Sequence, residues 1–596
     1  MKYLAYSIVL TLVAIAPPGH GQSTSYAHLH INDIRARFMP HGMIGLDVAN
    51  GDPDFEVPFG GGAHAMFAGS IWIGGLDSSG NIHLAALRFD QENFPDYAPG
   101  PLTIDGTASI TPAMSAAWDQ VWVVNGTDVA LQHAYYTCLQ TPGCDVAVEF
   151  PGYVIPPVFL NWPAMGDLVA GQDVYLAPFF DFDADGSYDP VNGDFPCILG
   201  DQALFYIFND KLNPHASGGL PIGLEVHAMP FAFASNEPAL AQTIFIKYRI
   251  INRGILTLHD TYVGLFTDFD LGNSMDDYVG SDPARNLWYV YNGDVDDETT
   301  SSTTGYGAQP PSFGAVLLQG PFMDADMLDN PMGSDLPSWN GTGFSDLIID
   351  NERLGVNWLR YFNNSGGVTG DPMSYASQYF GYLTDLWRDE TPMYYGGDGH
   401  YPNDDPLQDL PAHFAFPNDT DPLGIGTGGS AQPPWSELLA GNDPEDRRMI
   451  GSAGPFTLDP WDDFEVFYAL VYARAGSGGP FASVAALQQR VDSVKTFFSS
   501  IGSGCSGGTS MVGVVERVND ALTVFPVPAS GLLHIQLPKN ISNSQYQVFD
   551  AMGRAVMTGT LDSSTRDIDI SSMANGQYVL HVITDHDYLV TIFLKD

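Results

Sequence analysis

Glycine and proline recur along the whole chain and limit the length of any helix. The 596 residues include 64 Gly and 43 Pro. Glycine in a helix interior costs about 1 kcal/mol and proline about 3 kcal/mol, so long helices are excluded from most of the chain. Aromatic residues make up 12% of the sequence, which is too many for a disordered protein. The composition therefore predicts a folded, mainly β protein that is rich in turns.

The length and the spacing of apolar segments predict several units. A chain of 596 residues exceeds the usual size of one domain. We expect a multidomain β-sandwich architecture with long loop insertions. The expected divisions are a signal peptide at 1–21, an N-terminal β-rich region at 22–220, a β-sandwich region at 221–498, a Gly/Ser linker at 499–519 and a C-terminal module at 520–596.

The charge restricts the partners. The formal net charge is −48 at pH 7. A field this negative repels phosphate backbones and anionic lipid surfaces, so nucleic-acid binding is excluded as a function class. Cations, neutral glycans and proteins remain compatible ligands.

The N-terminus has the pattern of an export signal. Lys2 precedes a mostly apolar run over residues 4–16, and a Pro-Pro-Gly break follows. This pattern predicts a secretory signal peptide, with cleavage after Gly21. No other stretch approaches about 18 apolar residues, so we expect no transmembrane segment in the mature chain.

Apolar alternation predicts the main strands of the central region. Residues 63–87 read as a hairpin, and residues 243–252 and 464–472 read as long strands. Residues 290–450 hold few alternations and many polar turns, which indicates long insertions on a β scaffold.

One amphipathic helix is expected near the end of this region. Apolar residues recur at three- and four-residue steps over residues 483–498, which indicates a packing face. Ser483 is available as the N-cap of this helix.

Four cysteines are too few for a disulfide scaffold. A turn-forming spacer separates Cys138 from Cys144, so the two are either a local disulfide or two unpaired small apolar residues. The sequence offers no basis for pairing Cys197 with Cys505.

The clearest metal-binding pattern lies in residues 181–192. Carboxylates stand at positions 1, 3 and 5 of a loop, glycine at position 6 and serine at position 7, as in the first half of an EF-hand loop. Position 12 is Asn192, and the preceding segment reads as a strand, so the helix-loop-helix frame is missing. A solvated acidic turn is the other interpretation. The predicted calcium ligands are Asp181, Asp183, Asp185, Ser187, Asp189 and Asp194.

A second acidic cluster follows the strand that ends near residue 267. Its carboxylates repel one another strongly unless a cation is present. We therefore expect calcium there as well, with Asp268, Asp270, Asp276 and Asp277 as ligands. A third run, residues 294–298, has hydrophilic neighbours and is expected to be a solvated loop.

Catalytic motifs are weak in this sequence. No His is followed by Glu, which excludes an HExxH zinc helix. Several aromatic residues near polar loops are candidates for sugar-stacking platforms, although such residues are more often part of a core. These candidates are Trp118, Trp122, Trp358, Tyr361, Phe362, Tyr394, Tyr395 and Tyr401.

Three motifs near the C-terminus carry a family resemblance. Residues 524–530 read Val-Phe-Pro-Val-Pro-Ala-Ser, residues 548–554 read Val-Phe-Asp-Ala-Met-Gly-Arg, and residues 573–578 read Met-Ala-Asn-Gly-Gln-Tyr. In this order and spacing they resemble the type A C-terminal sorting domain of the type IX secretion system of Bacteroidota. Val527 stands where the family usually has Asn, and the basic end of the family is reduced to Lys595.

The resemblance implies a function for the C-terminal module. The module is expected to be a small Ig-like β-sandwich, because short alternating strands and turns continue through it. The resemblance implies that the type IX machinery reads it as an address. The chain would then pass through the periplasm and be released or displayed at the outer cell surface.

The central region resembles large secreted proteins that carry the same sorting domain and have no assigned activity. Residues 67–75 and 447–457 are among the segments that carry this likeness. We expect the region to be a calcium-stabilised interaction or structural module with a glycan or protein ligand. The alternative is an extracellular hydrolase acting on polysaccharide, which would need two carboxylates about 5 to 10 Å apart in an aromatic cleft.

Overall fold

The computed structural model describes residues 25–89, 95–333, 336–400, 410–500, 523–525, 529–536, 543–550, 555–562, 567–584 and 588–595. The chain divides into two compact units, Met1–Gly513 and Val514–Asp596. The predicted signal peptide and residues 501–519 of the predicted linker lie outside the described residues.

The larger unit is mainly β, as the composition predicts. Its strands are β1 (Ala27–Leu29), β2 (Arg35–Phe38), β3 (Leu46–Asp47), β4 (Asp52–Pro53), β5 (Phe55–Glu56), β6 (Ala68–Leu76), β7 (Ile82–Ala85), β8 (Ala98–Pro99), β9 (Trp122–Asn125), β10 (Phe179–Phe180), β11 (Phe195–Pro196), β12 (Gln202–Asn209), β13 (Leu224–Ala232), β14 (Thr243–Asn252), β15 (Leu258–Phe269), β16 (Asp277–Asp282), β17 (Leu287–Asn292), β18 (Asp296–Asp297), β19 (Gly307–Ala308), β20 (Ser312–Gln319), β21 (Trp358–Asn363), β22 (Arg447–Leu458) and β23 (Asp463–Ala473).

The helices of this unit are short, with two longer exceptions. They are α1 (Pro112–Ala117), α2 (Gly126–Gln140), α3 (Val146–Glu149), α4 (Pro157–Leu160), α5 (Pro238–Ala241), α6 (Leu336–Trp339), α7 (Ala376–Leu383), α8 (Glu437–Ala440) and α9 (Pro480–Phe498). Short 3-10 helices cover Ser274–Asp276, Pro283–Arg285 and Ile425–Thr427.

Two antiparallel sheets build the sandwich. The larger has the order β16-β17-β20-β23-β14-β13-β12-β8, and β9 also pairs with β12. The smaller has the order β21-β22-β15-β6-β7. The predicted hairpin at 63–87 is β6 and β7, and the two predicted long strands are β14 and β23. These sequence predictions are confirmed.

Strand alternation creates the core between the sheets. Ile246 and Tyr248 of β14 and Ile71 and Val263 of the smaller sheet belong to one buried cluster. Burying side chains of this size contributes about 1.5–3 kcal/mol each. The period of two in the sequence therefore becomes the contact between the two sheets.

The opposite face of the larger sheet is covered by α9. Leu487, Val491 and Val494 of the helix are buried with Phe245 and Val471 of the sheet. The predicted apolar stripe is thus a packing face.

The start of α9 differs from the prediction. The helix begins at Pro480 with Gly479 as N-cap, so Ser483 lies inside it. Proline is favoured at the first helical position because its missing N–H has no helical partner there. The hydroxyl of Ser483 donates to the carbonyl of Pro310 at 2.7 Å and accepts from the amide of Ala475 at 3.1 Å. It therefore anchors the helix to the sheet edge.

The segment between β8 and β12 holds α1 to α4 and the predicted disulfide. Cys138 and Cys144 are bonded, with their Cα atoms 5.3 Å apart. Cys197 also takes part in a disulfide.

The expected division near residue 220 falls within one sheet. Phe208 of β12 lies opposite Val226 of β13 in an antiparallel pair. Residues from both predicted regions therefore contribute to the same sandwich.

The smaller unit is also a β-sandwich. Its strands are β24 (Thr523–Phe525), β25 (Leu532–Gln536), β26 (Asn543–Asp550), β27 (Ala555–Asp562), β28 (Asp567–Asp569), β29 (Gly576–Thr584) and β30 (Tyr588–Lys595). They form a three-stranded sheet, β24-β25-β28, and a four-stranded sheet, β27-β26-β29-β30. Leu533, Val548 and Leu580 are among the residues of its core.

Of the helices that the structure describes, none combines the length and the apolar character that crossing a bilayer requires.

Candidate functional site

The first acidic cluster lies in the loop between β10 and β11. Carboxylate oxygens of Asp181, Asp183 and Asp194 lie within 4.8 Å of one another. Asp194 is fully buried just before β11, whereas Asp183 is exposed in the loop. Oxygen donors gathered in this way are the ligands that Ca²⁺ prefers.

Backbone geometry gives this loop its sharp turn. The carboxylate of Asp181 accepts hydrogen bonds from the amides of Asp185 (3.2 Å) and Gly186 (2.8 Å). Ala184 has a φ of 58° and Gly186 a φ of 80°. The left-handed conformation at Gly186 is the reason that the pattern requires glycine at position 6.

Asp194 connects the two ends of the loop. One of its oxygens accepts from the amide of Phe182 at 2.8 Å, and the other accepts from the amide of Asp189 at 2.6 Å. These bonds hold the buried carboxylate beside Asp181, as the sequence predicts.

Three other predicted ligands do not join the cluster. Asp185 accepts from the amide of Ser187 at 2.7 Å, which closes a local turn. Asp189 accepts from the amide of Val191 at 2.9 Å and from the side chain of Asn192 at 3.1 Å. The structure therefore uses Asp185 and Asp189 in turns, where the EF-hand pattern predicts ligands.

Crowding makes the first cluster costly to ionise. Burial, together with Asp181 and Asp183, raises the pKa of Asp194 to about 6, although its two backbone hydrogen bonds oppose the shift. Partial desolvation and the charges of Asp185 and Asp181 also raise the pKa of Asp183. A bound cation would relieve this repulsion.

The second acidic cluster lies where β15 and β22 meet. Asp268 is in β15, Asp270 follows it, and Asp446 directly precedes β22. Oxygens of these three carboxylates lie within 4.8 Å of one another. Asp446 was not among the predicted ligands, because only the antiparallel pairing of β15 with β22 brings it to this place.

Arg448 is the counter-charge of the second cluster. Its Nε lies 3.1 Å from Asp268 and 3.3 Å from Asp371, and its Nη1 lies 3.0 Å from Asp446. Burial raises the pKa of both Asp268 and Asp270 well above the usual range, and Arg448 only partly opposes this. One guanidinium is thus shared among several carboxylates.

Asp276 and Asp277 belong to neither cluster. Asp276 ends a 3-10 helix, and Asp277 begins β16. Burial, followed by the charges of Asp297 and Glu298, raises the pKa of Asp276 to about 7. Asp297 is fully buried, so the expectation of a solvated third run is wrong for this residue, although Asp294 is exposed.

Most candidates for sugar stacking are packed inside the protein. Trp122, Tyr361 and Phe362 are core residues. Trp358 stacks on His413 with ring centroids 4.0 Å apart. Trp118, Tyr394 and Tyr395 are partly buried, and Tyr401 lies outside the described residues.

A buried serine, histidine and aspartate lie together without forming a nucleophilic triad. The hydroxyl of Ser217 donates to Asp96 at 2.5 Å. The two ring nitrogens of His215 contact the carbonyls of Leu84 and Asp210. No ring nitrogen of His215 is left to take a proton from Ser217, so this group has a structural role.

Comparison with known proteins concerns mainly the smaller unit. A family model described as the secretion system C-terminal sorting domain matches residues 523–594. No curated protein matches the chain. Among solved structures, a polysaccharide lyase is 6% identical with a TM-score of 0.17, over 62% of this chain and 34% of that one. The chain thus spans about a third of that structure, and a TM-score this low supports no conclusion on fold or activity.

The family match confirms the resemblance that the three C-terminal motifs predict. Each motif lies at least in part within residues 523–594. The likeness of the central region to other secreted proteins stays a prediction.

Proposed function

Because the chain carries a type IX sorting domain and is exported to the cell surface or the medium, we propose that its larger unit acts outside the cell as a calcium-stabilised interaction or structural module. A glycan or a protein is the class of ligand that its charge allows. An extracellular hydrolase acting on polysaccharide stays the alternative prediction from the sequence.

The observation that supports the proposal is the gathering of carboxylates in two places. Asp181, Asp183 and Asp194 form one group, and Asp268, Asp270 and Asp446 form the other. Each group combines buried with more exposed carboxylates, and burial raises the cost of their charges. A hard divalent cation would neutralise them with oxygen ligands alone.

Binding of this kind adds stability by mass action. A ligand that binds only the folded chain contributes RT ln(1 + [L]/Kd), which is about 2.7 kcal/mol at one hundred times Kd. Extracellular calcium modules have Kd values on the order of 10⁻⁴ to 10⁻³ M, so millimolar calcium is the relevant range.

The test compares thermal unfolding of the mature chain in calcium and in chelator. Asp183→Asn removes one exposed carboxylate of the first group and should reduce the gain in Tm that calcium gives. Asp185→Asn is the matched control, because it makes the same change in the same loop outside the group. Asp446→Asn and Asp443→Asn form the corresponding pair for the second group.

The proposal fails if calcium leaves the Tm of the wild-type chain unchanged. It also fails if Asp183→Asn and Asp446→Asn lower the Tm equally in calcium and in chelator. In that case the carboxylates would only shape turns.

A further inference from the structure

The hairpin of β16 and β17 brings two buried oxygen donors together. Asp277 starts β16 and lies opposite Asn292, which ends β17. Side chains of directly opposed residues in an antiparallel pair stand on the same face, with Cβ atoms about 4.5–5.5 Å apart. Both residues are fully buried.

Each of these residues has an oxygen without a hydrogen-bond partner in the described part of the chain. One oxygen of Asp277 accepts from the amide of Leu271 at 3.0 Å, but Oδ1 is unpaired. The Oδ1 of Asn292 is unpaired as well. An unpaired buried polar group costs about 1–3 kcal/mol, so two of them side by side require a reason.

The orientation of the Asn292 amide is determined by its surroundings. Its Nδ2 faces the carbonyls of Asp294 and Asp296, each at 3.4 Å. A flipped amide would direct Oδ1 at these oxygens instead. Oδ1 therefore points away from the loop and is left as a free acceptor.

Further carboxylates surround this pair. Both oxygens of Asp276 are buried and unpaired within the described residues. Asp297 is fully buried, and its carboxylate accepts from the amides of Asn273 at 3.0 Å and Tyr306 at 2.6 Å. Asp276 and Asp297 act electrostatically on Asp277 and raise its pKa, after the larger effect of burial.

We propose that the base of this hairpin is a third divalent-cation site, with Asp276, Asp277 and Asn292 as its oxygen ligands and Asp297 beside them. Calcium is the cation expected, because the donors are carboxylate and amide oxygens. The site goes beyond the two clusters of the proposed function, since it shares no residue with either and includes a neutral ligand.

A proton is the competing explanation. A protonated Asp277 would donate from Oδ1 to the acceptor of Asn292 and would satisfy both atoms without metal. The two explanations predict opposite effects for Asp277→Asn. The amide of the variant replaces the hydrogen-bond donor of the acid, whereas it removes the charge that a cation needs.

The experiment measures calcium bound per mature chain at neutral pH, by equilibrium dialysis and by terbium titration with tyrosine-sensitised luminescence. Asp277→Asn should lose one ion per chain, or bind it at least tenfold more weakly. Asp296→Asn is the matched control, since Asp296 is exposed in the adjacent loop, and it should retain every ion.

Asn292→Ala supplies a second variant if Asp277→Asn does not fold, and the same weakening is expected. Unchanged stoichiometry and affinity in the variants that fold would overturn the third site and favour the proton. Asp183→Asn and Asp446→Asn, measured in parallel, report on the two other clusters, so each proposal fails or survives separately.

Discussion

His215 is placed so that it must carry two protons in the folded chain. Its imidazole is fully buried. Nδ1 lies 2.6 Å from the carbonyl oxygen of Leu84 in β7, and Nε2 lies 2.7 Å from the carbonyl oxygen of Asp210, directly after β12. A carbonyl oxygen only accepts, so both nitrogens donate. The folded state therefore selects the imidazolium form.

A buried carboxylate supplies the counter-charge. Asp96 lies 3.7 Å from Nδ1 of His215 and also accepts from the hydroxyl of Ser217. Burial lowers the pKa of His215, but Asp96 and Asp210 and the two backbone hydrogen bonds raise it, and the net shift is upward.

The direction of this shift fixes the pH dependence of stability. The pKa of His215 is near 6.5 in the unfolded chain and higher in the folded one. The contribution of His215 is therefore fully present below about pH 6.5 and is lost as the pH rises through the folded value. Each unit of difference between the two values contributes about 1.4 kcal/mol. After deprotonation one nitrogen faces a carbonyl without a proton, at a cost of about 1–3 kcal/mol.

The assay is urea unfolding of the wild-type chain and of His215→Gln between pH 5.5 and 9. Glutamine retains a donor but cannot become a cation. The difference in unfolding free energy between the two chains should be largest at pH 5.5 and should shrink by about 1–3 kcal/mol at high pH. His259→Gln, at an exposed position, controls for loss of a histidine. A difference that does not change with pH would refute the reasoning.

Two further predictions follow from the fold. Removal of residues 514–596 should abolish transport across the outer membrane, since the sorting domain lies there, while the larger unit still folds; cell fractionation and circular dichroism test this, and unchanged transport would contradict it. Arg447→Met should destabilise the larger unit by about 3–5 kcal/mol, because it leaves Glu437 charged and buried without its partner at 2.7 Å. Urea unfolding measures the loss, and Arg388→Met, at a partly buried arginine, is the control.

The strands were predictable because their signal is local. Residues 243–252 alternate in a period of two, and β14 covers Thr243–Asn252. The N-cap of α9 was missed because Ser483 competes with Pro480, and a proline at the first helical position is the stronger start signal. Serine instead serves a tertiary hydrogen bond to Pro310, which the sequence pattern does not report.

The acidic sites were predictable only where their residues are close in sequence. Asp181, Asp183 and Asp194 occupy one loop, and the loop pattern gathers them. Asp446 and Asp297 were missed as members of acidic groups, because strand pairing brings the first to Asp268 and a separate loop brings the second to Asp276. Register between distant strands depends on the whole hydrophobic pattern and is not readable from a motif.

Composition nevertheless indicates why such sites recur. The chain has 22 Lys and Arg against 70 Asp and Glu. Several of these few cations are buried, including Arg360, Arg447 and Arg448, and each forms an ion pair with an acid there. A buried carboxylate must be paired, protonated or bound to a metal. Since the interior uses part of an already small supply of cationic side chains, the remaining crowded carboxylates depend on protons or on cations from the solvent.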